Sequence, residues 1–196
     1  LDGELIAETQ NLNSVLHRPT KKGAILLPDR PGEGRFTVTA SAPMWVEEEG
    51  RYKMVYEARP PVYKESNFRW ALAVSKDGLI WDKPNLGAVE FDGSRNNNLI
   101  AAPENKRLWH VVYDPDDPEP SRRYKGFLGH SGRRPVASPD AVYWKVLDAP
   151  VLPSGDAGTL TYDRENRQFL GLLKFGGKYG RSYNLSSSKD FVQWSE

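Results

Sequence analysis

One heptapeptide pattern occurs three times in this chain of 196 residues and constrains its fold more than any other feature. The pattern reads Ser-x-Asp-x-x-x-Trp, and its copies span residues 75–81, 138–144 and 188–194. Their tryptophans are 63 and then 50 residues apart. Three matches at three fixed positions are hard to obtain by chance, so the sequence indicates an internal repeat of one structural unit.

A second element precedes each copy of the heptapeptide. It consists of an aromatic residue, an acidic turn and the start of another strand, and it spans residues 45–52, 113–124 and 162–169. In the first unit, the segments 43–46, 52–58 and 70–74 have the composition of short antiparallel strands, and Trp81 begins a fourth. Each unit is therefore predicted to be a four-stranded antiparallel meander.

The heptapeptide itself has the composition of a specific turn. Its Ser and Asp side chains can accept hydrogen bonds from backbone N–H groups one or two residues further on. Gly78 in the first copy allows a positive φ. The Trp supplies a large apolar surface that can fill the space between neighbouring sheets. No stretch shows a sustained 3.6-residue amphipathic period, so little helix is expected.

A four-stranded unit that repeats about every 50 residues is the signature of a propeller blade. We therefore predict an all-β chain with about three blades, approximately 39–100, 101–150 and 151–196, of which the third is incomplete. Residues 1–38 form an N-terminal segment with one possible outer strand over 23–27. Because propellers close with about four to eight blades, this chain is not expected to close a ring alone.

The sequence resembles the five-bladed propellers of the glycosidase superfamily, which includes invertase/levanase-like and arabinanase-like enzymes and many uncharacterised relatives. The resemblance rests on the first Ser-x-Asp turn with the segments 83–91 and 96–100 that follow it, and on the last heptapeptide, 188–194. It covers roughly residues 39–196 and implies a partial five-bladed propeller. The remaining blades would come from a longer protein or from another chain, including a second copy.

The resemblance also implies where the chemistry lies. Such enzymes place catalytic carboxylates around the central axis, on the innermost strand of each blade, which we expect near 39–45, 106–113 and 155–161. The third of these strands offers Asp156 as a catalytic carboxylate. The first strand has no carboxylate, and the second has His110 where the resemblance implies an Asp. The expected carboxylate set is therefore incomplete, and Asp156 could instead cap a turn.

Four further residues are candidates for substrate binding. Arg69 and Arg181 open the third strands of two blades, where a guanidinium could clamp a carboxylate or sugar hydroxyls, or form a salt bridge to a neighbouring blade. His110 and Trp109 lie together in an apolar strand. They could contact a ligand near the central axis of the propeller, or His110 could be an ordinary half-buried histidine.

Composition excludes several other classes of function. The chain has no Cys, which removes disulfides, thiolate catalysis and Cys-based zinc sites. A formal net charge of +1 and only small basic pairs argue against a nucleic-acid partner, and no apolar run is long enough to span a membrane. The three histidines have no ligand spacing, and the acidic run 114–120 suits a solvated loop better than a Ca²⁺ site. We expect no metal and no cofactor.

Three functions remain open. The leading one is a carbohydrate-active propeller that hydrolyses a glycosidic bond by carboxylate acid/base chemistry when the propeller is complete. The alternatives are a non-catalytic sugar-binding propeller and a protein-interaction propeller. The first four residues lack the features of a secretory signal, and localisation stays unknown, with an extracellular or periplasmic one favoured.

Overall fold

The computed structural model describes residues 7–8, 10–13, 15–39, 41–59, 67–178 and 180–195. These residues form three antiparallel sheets, and their helical content is limited to three single 3-10 turns. None of these turns is long enough to span a membrane. The strands are β1 (Phe36–Thr39), β2 (Met44–Val46), β3 (Arg51–Arg59), β4 (Arg69–Ser75), β5 (Leu108–Tyr113), β6 (Tyr124–Leu128), β7 (Arg134–Ser138), β8 (Lys145–Val146), β9 (Gly158–Asp163), β10 (Gln168–Gly177) and β11 (Gly180–Ser188).

The first sheet is built around β3. Strand β4 pairs along one edge of β3, while β1 and β2 pair with opposite ends of the other edge. Strands β1 and β2 are therefore two halves of one interrupted inner strand. The outer strand is reduced to two isolated bridges, between Val74 and Asp82 and between Ala71 and Leu99.

The second and third sheets repeat this arrangement. The second has the order β5-β6-β7-β8, and the third has the order β9-β10-β11. Beyond β11, the backbone N–H of Ser195 donates to the Ser187 carbonyl oxygen, and the Ser187 N–H donates to Ser195 Oγ, over 2.8 Å each. Strand β5 lies between β2 and β9, so the inner strands of the three sheets are neighbours. The structure thus confirms the predicted all-β fold with three blade-like sheets.

The three Ser-x-Asp-x-x-x-Trp turns have the same hydrogen bonds. In each, the Ser Oγ accepts from the backbone N–H three residues on, over 2.8–2.9 Å, and the Asp Oδ1 accepts from the N–H groups two and three residues on, over 2.8–2.9 Å. The sequence led us to expect N–H donors one or two residues after each side chain, and the observed donors extend to three residues.

The residue three positions after the Ser has a positive φ in every copy, 74° at Gly78, 69° at Ala141 and 63° at Phe191. The carbonyl of that residue accepts a hydrogen bond from the Trp indole N–H, over 3.0, 3.0 and 3.4 Å respectively. The tryptophans therefore occupy equivalent positions, as the repeat predicted.

Apolar side chains fill the space between successive sheets. One core cluster joins the first and second sheets and includes Val55, Leu108 and Trp144. Another joins the second and third sheets and includes Phe127 and Phe169. In both clusters the side chains come from the facing surfaces of two neighbouring sheets, which is how propeller blades pack.

The predicted outer strand over 23–27 does not form. Leu26 instead packs against a smaller apolar cluster on the outside of the first sheet. Buried Glu33 anchors this segment, because its Oε2 accepts from the backbone N–H of Asp29 and Arg30 and from Lys83 Nζ, over 2.8–2.9 Å. These bonds hold residues 29 and 30, and Lys83 Nζ also donates to the Leu27 carbonyl oxygen.

The acidic run 114–120 also differs from the expectation. Asp114 and Asp117 are largely buried, and both accept hydrogen bonds from the fully buried Lys125 ammonium, over 2.7 and 2.8 Å. The loop is therefore not simply solvated, because a lysine from β6 neutralises two of its carboxylates from inside.

Candidate functional site

The three inner strands line one open cleft with a volume of about 670 Å³. Its walls come from the β1–β2 segment, from β5 and from the chain leading into and along β9. Exposed hydroxyl groups recur along these walls, at Thr39, Thr159 and Thr161. The sequence predicted these three strands as the innermost ones, and the structure brings Trp109, His110 and Asp156 together in this cleft.

A bulge in β5 shapes the middle of the cleft. The pairing of β5 with β6 shifts between Trp109 and Val112, and His110 lies in the bulge with a φ of 54°. The backbone N–H of Val111 is thereby free to donate to Ser41 Oγ over 2.7 Å. This bond ties the inner strands of the first and second sheets together at the cleft.

His110 is largely buried, at 8% exposure, and packs against the third sheet. A Cβ placed on Gly158 would lie 3.4 Å from His110 Nε2 and only 3.0 Å from the Leu172 carbonyl oxygen. The backbone of the third sheet at Gly158 therefore lies beside the imidazole. His110 lines the cleft, but its position between two sheets gives it a packing role as well.

Asp156 is an exposed charged group of the cleft, with 57% of its side chain in contact with solvent. Its carboxylate lies 3.1 Å from Lys174 Nζ and 3.3 Å from His130 Nε2. The hydrogen bond from Lys174 is the main cause that holds the pKa of Asp156 below its ordinary value. Asp156 is consequently ionised at neutral pH, which suits a base, nucleophile or hydrogen-bond acceptor and not a proton donor.

Arg133 fixes the backbone that carries Asp156. Its side chain is fully buried, and its Nη2 donates to the carbonyl oxygens of Gly155 and Asp156, over 3.0 Å each. Its Nη1 hydrogen-bonds the Gly129 carbonyl oxygen. Burial lowers the pKa of Arg133 to about 10, so the guanidinium stays charged at neutral pH.

Trp45 gives the cleft an exposed aromatic surface. Its ring is 40% exposed, although Met44 and Val46 on either side are buried. The indole N–H donates to Glu47 over 2.6 Å, and the ring contacts Tyr52 edge to face at 4.9 Å. The sequence did not indicate this exposure, because residues 44–46 are all apolar and show no alternation.

Two predicted binding residues lie away from this cleft. The Arg69 guanidinium stacks on Phe91 at 4.4 Å and hydrogen-bonds the Gly32 carbonyl oxygen, so it packs against the first sheet and the N-terminal segment. Arg181 is exposed near the start of β11. Neither residue lines the cleft with Asp156. Conversely, Lys174, His130 and Arg133 surround Asp156, and sequence reasoning assigned them no role there.

Asp156 is the only Asp or Glu among the described residues that line the cleft. Both geometries of carboxylate-catalysed glycoside hydrolysis require two carboxyl groups, about 5–5.5 or about 6.5–9.5 Å apart. The described part of the chain therefore supplies one such group to the cleft.

Comparison with known proteins finds similar structures but no similar sequences. No family model matches the chain, and no curated protein matches it. Among solved structures, a fructofuranosidase from Schwanniomyces occidentalis, complexed with fructosylnystose, matches with a TM-score of 0.59 and 10% identity over 87% of this chain. The GH32 β-fructofuranosidase of Bombyx mori matches with a TM-score of 0.50 and 12% identity over 81%.

The fold is that of part of a β-propeller, similar to part of these two fructofuranosidases. The chain spans about a third of these structures, since the matches cover 34% of each of them. At 10–12% identity the likeness shows the fold alone. It agrees with the partial propeller fold that the Ser-x-Asp turns led us to expect.

Proposed function

We propose that this chain forms the carbohydrate-binding wall of a glycosidase-type propeller. The observation that carries the proposal is the cleft of about 670 Å³, in which an exposed tryptophan, several threonine hydroxyls and one ionised carboxylate face the same space. Sugars present apolar C–H faces and many hydroxyl groups, and this combination of side chains suits both.

Each side chain has a defined part in the proposed binding. Trp45 offers the face of its indole for stacking against a sugar ring, and its hydrogen bond to Glu47 fixes the ring orientation. Asp156 is an ionised acceptor for sugar hydroxyls, and charge-assisted hydrogen bonds of this type are the stronger ones. The likeness to fructofuranosidases, one of which was solved with fructosylnystose, supports a saccharide ligand.

Hydrolysis of a glycosidic bond is the second candidate function, and the position of Asp156 at the cleft supports it. Because its pKa is held low, Asp156 would serve as nucleophile or base. The general acid would be a second carboxyl group, contributed by residues outside the described part of this chain. Further blades of a longer protein, or a second copy, could contribute it.

Binding is tested by titrating the protein with fructan, arabinan and mannan oligosaccharides in a calorimeter. We expect saturable binding of at least one, and a loss of about tenfold or more in affinity for Trp45→Ala, which corresponds to roughly 1.4 kcal/mol. Tyr143→Ala is the matched control, because Tyr143 is 51% exposed and lies outside the cleft. Absence of binding to any saccharide would contradict the proposal and favour a protein-interaction propeller.

Hydrolysis is tested separately with Asp156→Asn in the full-length protein. If Asp156 is nucleophile or base, turnover of any hydrolysed glycoside falls by at least about 100-fold, while the affinity for that glycoside changes much less. Unchanged turnover would remove Asp156 from the mechanism and leave the binding proposal intact.

A further inference from the structure

A second pocket, separate from the cleft, lies at the end of the second sheet where β5 begins and where β6 turns into β7. Its volume is about 310 Å³. The residues that line it are Phe68, Lys106, Arg107, Leu128, Gly129, His130, Ser131, Gly132, Arg134 and Val151. Neither the propeller fold nor the proposed role of the cleft assigns it a function.

The lining of this pocket is strongly one-sided in charge. Lys106, Arg107, His130 and Arg134 contribute basic groups, whereas its described lining residues include no Asp or Glu. Glu104 lies just outside, where its carboxylate binds Lys106 at 2.8 Å and also Arg134. One carboxylate thus serves two cations, and the pocket keeps an excess of positive charge.

The walls of the pocket are fixed in advance of any ligand. The buried Arg107 guanidinium stacks on Phe68 at 4.6 Å and on Trp109 at 5.2 Å, which holds its plane. The 129–132 turn is tight, because a Cβ on Gly129 would lie 2.7 Å from the Gly132 carbonyl oxygen. The Arg133 guanidinium hydrogen-bonds the Gly129 carbonyl oxygen and secures the turn.

The pocket and the cleft are neighbours. Asp156 lines the cleft, His130 lines the pocket, and their side chains lie 3.3 Å apart. A glycan that lies in the cleft beside Asp156 is therefore close to the pocket. A volume of about 310 Å³ is at the lower end of the range for small-molecule sites, about 300–1,000 Å³, and suits a single sugar unit.

We propose that this pocket binds a carboxylate or sulfate group carried by a glycan whose neutral part lies in the cleft. The Arg134 guanidinium can donate a pair of hydrogen bonds to such a group, and Lys106 adds charge at the rim. An anion also lowers the mutual repulsion of the clustered cations. The glycan part of this inference rests on the proposed function, whereas anion binding by the pocket does not.

The test compares neutral and acidic ligands of the same size by calorimetry. The probes are a neutral oligosaccharide, its counterparts bearing a uronate unit or a sulfate ester, and inorganic sulfate. We expect each acidic oligosaccharide to bind about tenfold or more tightly than the neutral one, and this ratio to fall between 50 and 500 mM NaCl because the pocket is partly exposed.

Variants test whether the preference for the acidic ligand depends on the basic residues of the pocket. The double variant Lys106→Gln/Arg134→Gln keeps the buried core and should abolish the advantage of the acidic ligand, while the affinity for the neutral ligand stays unchanged. Lys145→Gln/Lys189→Gln removes two exposed lysines elsewhere and is the matched control. Glu104→Gln should increase the affinity for the acidic ligand, since it removes the carboxylate that competes for both cations.

The outcomes separate the two proposals. Equal affinity for acidic and neutral oligosaccharides would overturn the anion pocket and leave glycan binding in place. Inorganic sulfate binding that depends on Lys106 and Arg134, with no binding of any oligosaccharide, would support the pocket and overturn the proposed function. Absence of binding to every anionic probe would overturn the pocket. Equal affinity for inorganic sulfate and the sulfated oligosaccharide would overturn the glycan as its source.

Discussion

The second and third sheets have the same turn chemistry but differ in how much of their surface is covered. All five residues of β6 are buried, because the second sheet lies between the first and the third. The third sheet packs its Phe169 and Leu173 against the second. Its opposite face shows Tyr183 and Leu185 to solvent, at 50% and 63% exposure.

The exposed face of the third sheet is continuous and partly apolar. Leu172 pairs with Leu185, and Lys174 pairs with Tyr183, so these four side chains share one face. The second sheet is therefore buried on both faces because it has two neighbouring sheets, whereas the third sheet has one neighbour and exposes its other face. We expect further blades, from the same protein or a second copy, to cover this face in a complete ring.

The burial of two lysines also depends on the neighbouring sheet. Lys53 in β3 lies 5.0 Å from the ring of Tyr124 in the second sheet, and Lys125 in β6 lies 5.1 Å from the ring of Phe169 in the third. At the matching register position, one residue after the partner of the heptapeptide serine, the third sheet has Leu170 in place of a lysine. Each lysine is covered by the sheet that follows, so their burial is a consequence of having a neighbour.

The largest difference between the two sheets should come from Phe127→Ala. Phe127 is fully buried, and its ring centroid lies 5.3 Å from those of Phe191 and Trp194 in the third sheet. Removing the ring leaves a cavity between two sheets, so we expect a loss of about 4 kcal/mol in the free energy of unfolding, measured in urea. A loss below about 1 kcal/mol would mean that the two sheets do not depend on this interface.

Lys125→Ala should have the next largest effect. It leaves Asp114 and Asp117 buried without their ammonium partner, which costs about 3 kcal/mol by analogy with other broken buried ion pairs. The triple variant that also carries Asp114→Asn and Asp117→Asn is the control and should recover much of this loss. Equal stability of the single and triple variants would show that charge is not the reason for the loss.

Acid should destabilise the protein through the same loop. Burial alone raises the pKa of Asp117, but the hydrogen bond and charge of Lys125 outweigh it and hold the pKa below its ordinary value. A carboxylate with a lowered pKa stabilises the fold above its unfolded-state pKa, near 4, and loses that contribution as the pH falls through the folded-state value. We expect the urea midpoint to decrease below about pH 4, and to decrease less steeply in Lys125→Ala.

Local patterns predicted more of this molecule than long-range ones. The Ser-x-Asp turns could be predicted because all their hydrogen bonds lie within seven residues, and their spacing then indicated the sheets. Asp156 and His110 were found because each lies on a predicted inner strand. Lys174 and Arg133 could not be found in this way, since their contacts with 155–156 depend on which strands are neighbours.

The failures have the same physical origin. The apolar run 23–27 has the composition of a strand, but Leu26 packs against an apolar cluster and the Leu27 carbonyl oxygen accepts from Lys83 Nζ instead of pairing with a sheet. Arg69 begins its strand as predicted, yet its guanidinium stacks on Phe91 from a segment that sequence alone does not bring near. Composition indicates that a residue is charged or apolar, whereas its partner depends on the packing of distant segments.

Equivalent serines offer a finer comparison. Ser138 and Ser188 begin the heptapeptide turns of the second and third sheets, and each Oγ accepts a backbone N–H bond over 2.9 Å. Both are buried, so replacement by Ala leaves a buried donor without a partner, and we expect each variant to lose about 1–2 kcal/mol of unfolding free energy. A loss confined to Ser138→Ala would show that the third turn is not equally important for stability.

The smallest effect is expected on the exposed face of the third sheet. Leu185→Ser removes an apolar side chain that is 63% exposed in the isolated chain, so its unfolding free energy should change by less than about 0.5 kcal/mol. The measurement is urea unfolding at low and high protein concentration, with light scattering at each. If a second copy covers this face, Leu185→Ser will weaken self-association and destabilise the protein mainly at high concentration. A negligible effect that does not depend on concentration would contradict self-association through this face.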